Sequence, residues 1–203
     1  MPPFDATTPG LLILLVVLGY LLGSVPFGMV LARLMGLGNL REIGSGNIGA
    51  TNVLRTGNKA AAALTLVLDG GKGAAAVLLA RALAGEGAAQ LAGLAAFAGH
   101  CYPVWLRFEG GKGVATFLGL LLALAWPAGI AACLTWLATA AIARISSLAA
   151  LVAAVLAPLW LALLGYGDAV VLGMALAALI LWRHRGNIAR LRAGTEPRIG
   201  QKD

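Results

Sequence analysis

The sequence predicts an all-α polytopic membrane protein with seven transmembrane helices, its N-terminus outside and its C-terminus cytoplasmic. Three observations predict it. Of 203 residues, 60% are hydrophobic and 11% charged, where a soluble domain carries about a quarter charged residues. The apolar residues come in long runs and not at amphipathic spacing, and a run of about 18 or more reads as a membrane span. The net charge of +7 is unevenly spread between the loops, as cytoplasmic accumulation of Lys and Arg requires. A soluble core of this length could not hide so much apolar surface.

Taken in order, the spans are expected at roughly 10–34, 59–83, 87–106, 114–126, 128–144, 147–165 and 168–183. The first lacks a preceding basic residue and is too long for a signal-peptide core, so it is expected to be retained. Within it, "GSVPFG" at 23–28 suggests a break or a close helix contact. The fourth is short. It is separated from the fifth because residues 114–144 are too many for one crossing at about 1.5 Å per residue, and Pro127 and Gly129 mark a turn. Pro158 lies inside the sixth span and should kink it.

Charge selects the orientation. With the N-terminus outside, the inner face receives Arg33, Arg41, Arg55, Lys59, Arg107, Lys112, Arg144 and the basic tail from Arg183 to Lys202, while the outer face receives Arg81. An even number of spans would place the tail opposite the first basic loop. Loops and tail are too short to form separate domains, so residues 1–203 are expected to be one membrane domain. "LDGGKGAAAVLL" (68–79) and "FEGGKGVATFLG" (108–119) resemble each other. The span count puts the first mid-membrane and the second at the inner surface, so the match is read as coincidence.

Three polar clusters fall on the same expected side. The loop "REIGSGNIGATNVLRTGN" (41–58) holds Ser45, Asn47, Thr51, Asn52 and Arg55. Its glycines can turn backbone N–H groups toward an anion, and Arg55 can clamp a phosphate. An ordinary flexible loop would look similar. In the second cluster, Gly110, Gly111 and Gly113 allow close backbone approach and Lys112 brings a charge. The Ser or Thr that would follow the lysine of a Walker A loop is missing, and a tight turn with a basic anchor is the plainer alternative. In the third, "LWRHRGNIARLRAGTEPR" (181–198), His184 and Asn187 share a helix face, and the arginines suit lipid headgroups. Ser146 and Ser147 follow Arg144 at another inner helix end. Asp69 and Lys72 lie within a span at i, i+3. They read as a structural ion pair or as lining of an active cavity.

Several classes drop out. Cys101 and Cys133 give neither a metal spacing nor a disulfide framework. Aromatics interleaved for base stacking are absent, which sets nucleic acid aside.

"GSGNIGATNVLR", "GGKGVAT" and "RHRGNIARL" closely resemble, in order, the three signature segments of the bacterial acyl-phosphate:glycerol-3-phosphate acyltransferases, the PlsY family. The resemblance extends to "GSVPFG", to Gly99-His100 and to "SSL" at 146–148. It implies a seven-helix, multi-pass enzyme of the bacterial cytoplasmic (inner) membrane with its active site facing the cytoplasm. Such an enzyme moves a fatty acyl group from acyl phosphate to the 1-hydroxyl of glycerol 3-phosphate, giving lysophosphatidic acid and phosphate in phospholipid synthesis. By resemblance, Ser45, Arg55, Lys112, His184 and Asn187 are the expected catalytic residues. Asn47, Thr51, Asn52, Gly110, Gly111, Gly113 and Ser147 are the expected substrate-binding residues, with Ser147 preferred over Ser146. No metal or cofactor is expected; the partners are the two substrates and membrane lipids, and the chain is expected to be a monomer. The proton of the attacking hydroxyl goes either to His184 or to a substrate phosphate, with the second preferred. A small transporter for a phosphorylated metabolite is the rival from another class. No inverted repeat supports it, and the polar groups collect at one face. Acyltransferases with a His-x4-Asp pair are excluded because neither His100 nor His184 has an aspartate five positions on. Asp69 and Asp168 are too few for the two-metal site of alcohol phosphatidyltransferases.

Overall fold

The computed structural model describes residues 8–200, all of whose regular elements are helical. The Lys202 charge counted in the basic tail lies outside the described residues. They form two compact units, one ending at Leu124 and the other starting at Ala125.

The first unit begins with α1 (Pro9–Gly23), capped by Thr8, whose Oγ1 accepts from the Leu11 amide at 3.4 Å. The chain breaks at Ser24–Pro26 and resumes as α2 (Phe27–Leu34), so the expected break at "GSVPFG" is present. A short helix, α3 (Ala50–Leu54), lies within the polar loop between α2 and the next long helix. That long helical stretch, α4 (Lys59–Cys101), starts under an Asn58 cap and is interrupted at Gly85, where φ is 81° and ψ is −170°. A straight helix would separate positions 69 and 100 by about 46 Å at 1.5 Å per residue. Instead Asp69 Oδ1 and His100 Nδ1 lie 3.6 Å apart. Gly85 is therefore a hairpin, and its left-handed backbone is one that glycine adopts without a Cβ clash. The two limbs coincide with the second and third expected spans.

Small residues let these helices approach closely, as membrane packing requires. Gly19 and Gly23, four apart on α1, meet the Ala92 and Ala96 backbone, where a Cβ would collide. The unit ends with α5 (Val114–Leu124). Its last carbonyls, of Ala123 and Leu124, accept from the Arg81 guanidinium at 2.6 and 2.8 Å, and Glu86 holds that guanidinium at 2.8 and 2.9 Å. The 11 residues of α5 reach about 16 Å, roughly half of a hydrocarbon core about 30 Å thick. The fourth expected span is thus present as the short helix the sequence indicated, preceded by the loop residues 110–113. The two GGKG copies also differ: residues 70–73 are helical within α4 and residues 110–113 form a loop.

The second unit contains α6 (Trp126–Ala143), α7 (Ser146–Leu163), α8 (Val170–Arg183) and α9 (Arg185–Arg192). Pro127 sits in the first turn of α6, where its missing N–H costs nothing. Pro158 lies inside α7, as expected, with Gly173 of α8 against it. Trp160 of α7 donates to Thr135 Oγ1 of α6 at 3.1 Å. Residues Gly167–Arg183 and α9 meet at a 64° bend. Among the described residues, Pro9–Leu34, Lys59–Leu106, Trp126–Ala143 and Ser146–Leu163 are long and apolar enough to cross a membrane, and the bent pair is a fifth candidate.

Candidate active site

In the first unit the loop 41–58 is built around Asn52, which is 2% exposed. Its Oδ1 accepts from the Ser45 amide at 3.1 Å and from Ser45 Oγ at 3.3 Å. Its Nδ2 donates to the carbonyls of Leu40 at 3.0 Å and Asn47 at 2.7 Å. Two donated and two accepted bonds use the hydrogen-bonding positions of an amide side chain. Asn52, expected to bind substrate, is therefore the post on which the loop is wound. Ser45 itself is exposed. Arg55 caps α3 and folds its guanidinium over Gly44, where a Cβ would collide with it. Five residues of α3 thus bring Ser45 and Arg55 together from ten positions apart. Asn47 turns inward, its Oδ1 accepting from the Ile48 amide at 3.0 Å, while Thr51 is exposed.

The glycine loop is equally determined. Arg107 and Phe108, neither of them glycine, take left-handed backbone with φ of 51° and 64°, at a cost of about 1–2 kcal/mol each. The Phe108 and Glu109 amides are held by the carbonyls of Pro103 and Leu106 at 3.0 and 2.9 Å. The Gly110 amide donates to the Cys101 carbonyl and the Gly111 amide to the His100 carbonyl, both at 3.1 Å. Those two N–H groups, in residues expected to bind substrate, instead cap the C-terminal end of α4. Gly113, at φ 81°, lies against the Phe97 ring. Lys112, half-buried, precedes the first turn of α5, where the helix dipole favours an anion. Arg41 joins the two loops: its guanidinium donates to the Glu109 carbonyl and to the Gly46 carbonyl, the latter at 3.4 Å. Sequence reading counted Arg41 only as an inner-face charge.

In the second unit His184 stands at the α8–α9 bend, 2% exposed. Its Nδ1 lies 2.8 Å from the Ile180 carbonyl. A carbonyl only accepts, so Nδ1 carries the proton and the basic nitrogen of the neutral ring is Nε2. Ser147, at the start of α7, donates to Glu196 Oε1 at 2.6 Å. Asn187 Nδ2 donates to the same oxygen at 2.5 Å, and Arg190 Nε to Oε2 at 2.7 Å. The tail is tied further by Ile199, whose amide donates to the Arg144 carbonyl at 2.6 Å. Burial pushes the Glu196 carboxyl up, but hydrogen bonds from Ser147, Asn187 and Arg190, with the Arg190 charge, outweigh it and hold it below the usual range. Sequence reading missed Glu196. A signal was present: it is the sole acid among the arginines of 181–200.

Fold and loops together define a helical integral membrane protein whose polar loops carry donors suited to anions. Residues 13–194 match the family described as Glycerol-3-phosphate acyltransferase. The chain is 75% identical over 202 residues to the glycerol-3-phosphate acyltransferase of Ruegeria sp. (strain TM1040), covering 100% of both chains. It is 69% identical over 202 residues to that of Ruegeria pomeroyi, covering 100% of this chain and 99% of the relative. The crystal structure of PlsY (YgiH), an integral membrane glycerol 3-phosphate acyltransferase, in its glycerol 3-phosphate form, is similar with a TM-score of 0.88. The two share 42% identity over 93% of this chain and 96% of that one. Its lysophosphatidic acid form gives a TM-score of 0.85 at 39% identity, over 93% and 95% of the two chains. The chain belongs to the glycerol-3-phosphate acyltransferase (PlsY) family.

Proposed function

We propose that this protein transfers a fatty acyl group from acyl phosphate to the 1-hydroxyl of glycerol 3-phosphate, giving lysophosphatidic acid and inorganic phosphate. In this reading the chain crosses the bacterial inner membrane seven times, N-terminus outside, with the short α5 and the residues flanking it as the fourth crossing. Its polar loops face the cytoplasm. The observation that carries the reading is Arg41, which locks the Ser45–Arg55 loop to the Lys112 loop. Two cationic loops held together, the first of them bearing hydroxyls, suit a reaction in which donor and acceptor both bear phosphate. Bacterial relatives that share nearly the whole chain carry the acyltransferase name.

Acyl phosphate is a mixed anhydride with a good leaving group, so no covalent enzyme intermediate is required. The glycerol hydroxyl attacks the acyl carbon, the C–O bond to phosphate breaks, and the hydroxyl proton passes to a phosphate oxygen of the substrate. Arg55 and Lys112 hold phosphate charge, and Ser45 orients the acceptor. Holding the two substrates in near-attack geometry supplies much of the acceleration. Donors near the acyl oxygen add electrostatic stabilisation. With the Gly110 and Gly111 amides engaged, the Ser45 hydroxyl given to Asn52 and the Asn187 amide given to Glu196, the amides at the start of α5 are the candidates. His184 binds and orients through Nε2. Asn47, Thr51, Gly113 and Ser147 complete the binding surface, and Asn52 supports it. The deciding assay combines purified protein, acyl phosphate and glycerol 3-phosphate in chelator, with acyl-coenzyme A as the comparison donor. Turnover is expected with acyl phosphate; turnover only with acyl-coenzyme A would overturn the donor assignment.

A further inference from the structure

Beneath the glycine loop lies a buried charged cluster that the proposed chemistry does not use. The side chains of Lys72 and Asp69 are 1% and 3% exposed and pair at 2.7 Å. Lys72 Nζ also donates to the Val25 carbonyl at 2.8 Å and sits 5.6 Å from the centre of the Phe27 ring, so it fixes the α1–α2 break. His100, 5% exposed, places Nδ1 3.6 Å from Asp69 Oδ1. Desolvating such a set among membrane helices is expensive, and apolar residues would pack as well. An ion pair kept solely for packing would have no reason to lie under one loop.

The connections to the loop are specific. The carbonyls of His100 and Cys101 accept from the Gly111 and Gly110 amides, which secures the N-terminal side. The His100 ring packs on Gly111, where a Cβ would strike Nε2. On the C-terminal side, Thr116 Oγ1 donates to the Asp69 carbonyl at 2.8 Å; Thr116 is fully buried in the first turn of α5. Asp69 therefore brackets the loop. Its backbone holds the C-terminal flank of Lys112, and its carboxylate faces the histidine that holds the N-terminal flank. The Gly85 hairpin brings residues 69 and 100 together, so both limbs of α4 contribute.

We propose that Asp69, Lys72, His100 and Thr116 are positioning residues that set the height and direction of Lys112 and the α5 N-terminus. This rests on the reading that Lys112 binds the phosphate of the acyl donor. An aligned loop lowers the KM for acyl phosphate, whereas a released loop carries the same groups with their aim lost.

The test uses the full-length protein in detergent and combines amide hydrogen exchange across residues 106–117 with steady-state kinetics. Thr116→Val removes the hydroxyl bond to Asp69 with little change of shape, and Thr116→Ser retains that bond. Asp69→Asn with Lys72→Met removes both charges together. Thr116→Val and the double variant are expected to speed exchange in the loop and raise the acyl-phosphate KM about five-fold or more, the response to roughly one net hydrogen bond. Their kcat should change less, and Thr116→Ser should restore both readings. Unchanged loop exchange in Thr116→Val would overturn the proposal. So would exchange that rises equally in every helix along with a lowered Tm, which marks a purely structural role. If the double variant fails to fold, Thr116→Val still decides. A wild-type protein inactive on acyl phosphate would sink the functional reading, while the exchange measurement would still judge the positioning.

Discussion

Replacing Asn52 by alanine should uncouple the first loop from its reaction without melting the helices. Asn52 makes four hydrogen bonds, to the Ser45 amide and hydroxyl and to the carbonyls of Leu40 and Asn47, between 2.7 and 3.3 Å. At about 0.5–1.5 kcal/mol net for each, and allowing for non-additivity, alanine should weaken the loop's ordered state by about 3 kcal/mol, roughly a hundred-fold in its equilibrium. The lost order falls on Ser45 directly and on Arg55 through Gly44. The long helices lie outside these contacts, which involve only the short α3 and its loop, so Tm in detergent should move little. Steady-state turnover should show kcat/KM down by about thirty- to a hundred-fold for both substrates. Asn52→Asp serves as a control. It keeps both acceptor bonds but sets a carboxylate against two carbonyls, so it should fare no better than alanine. If Asn52→Ala turned over within two-fold of wild type, or Asn52→Asp were well tolerated, the wound-loop argument would be refuted and a weak substrate contact restored.

Three other substitutions probe the same geometry. His184→Gln should retain measurable activity, because a glutamine can still bind and orient, whereas Arg55→Ala should lose nearly all; equal loss in the two purified variants would count against a substrate phosphate as proton acceptor. Lys112→Ala should raise the acyl-phosphate KM strongly, and an unchanged KM with normal turnover would remove its binding role. Glu196→Gln should lower Tm at neutral pH. Because the folded carboxyl is held below its ordinary value, its contribution is present above the unfolded pKa of about 4.3 and fades as pH falls through the folded one. The gap in Tm between wild type and Glu196→Gln should therefore close on acidification; a gap independent of pH would show that the charge contributes nothing.

Helix positions were legible because hydrocarbon leaves little choice. An apolar run in a membrane must satisfy its backbone internally, so the runs had to be helices. The "GSVPFG" break was expected from a proline and two glycines, each a known interruption. The hairpin between 83 and 87 was expected from span length, and it turns on Gly85. The shortness of the fourth helix was expected from its run of apolar residues, but its setting was less legible. Apolar composition marks residues 114–126 as membrane-like, but it does not reveal that Gly110 and Gly111 before them are drawn down onto the end of α4.

Chemistry-bearing residues were easier to name than to assign. Ser45, Arg55 and Lys112 stand out because exposed or half-buried polar groups in apolar surroundings suggest function. Asn52, Gly110 and Gly111 carry the same signal, yet their polar groups are used within the chain. Composition cannot tell a donor aimed at a ligand from one aimed at a carbonyl; that depends on partners such as Leu40 or Cys101, which carry no side-chain signal. Glu196 shows the converse. Its partners Ser147 and Asn187 lie 49 and 9 residues away, and no spacing rule joins them. What the sequence does contain is an imbalance, one carboxylate among arginines. A carboxylate that is 7% exposed must find donors, since an unpaired buried charge would cost several kcal/mol, on the order of 3–5. In the structure that lone acid finds its donors at Ser147 and Asn187, two of the groups assigned to substrate, as well as at Arg190. The tail is therefore tied to the starts of α7 and α9.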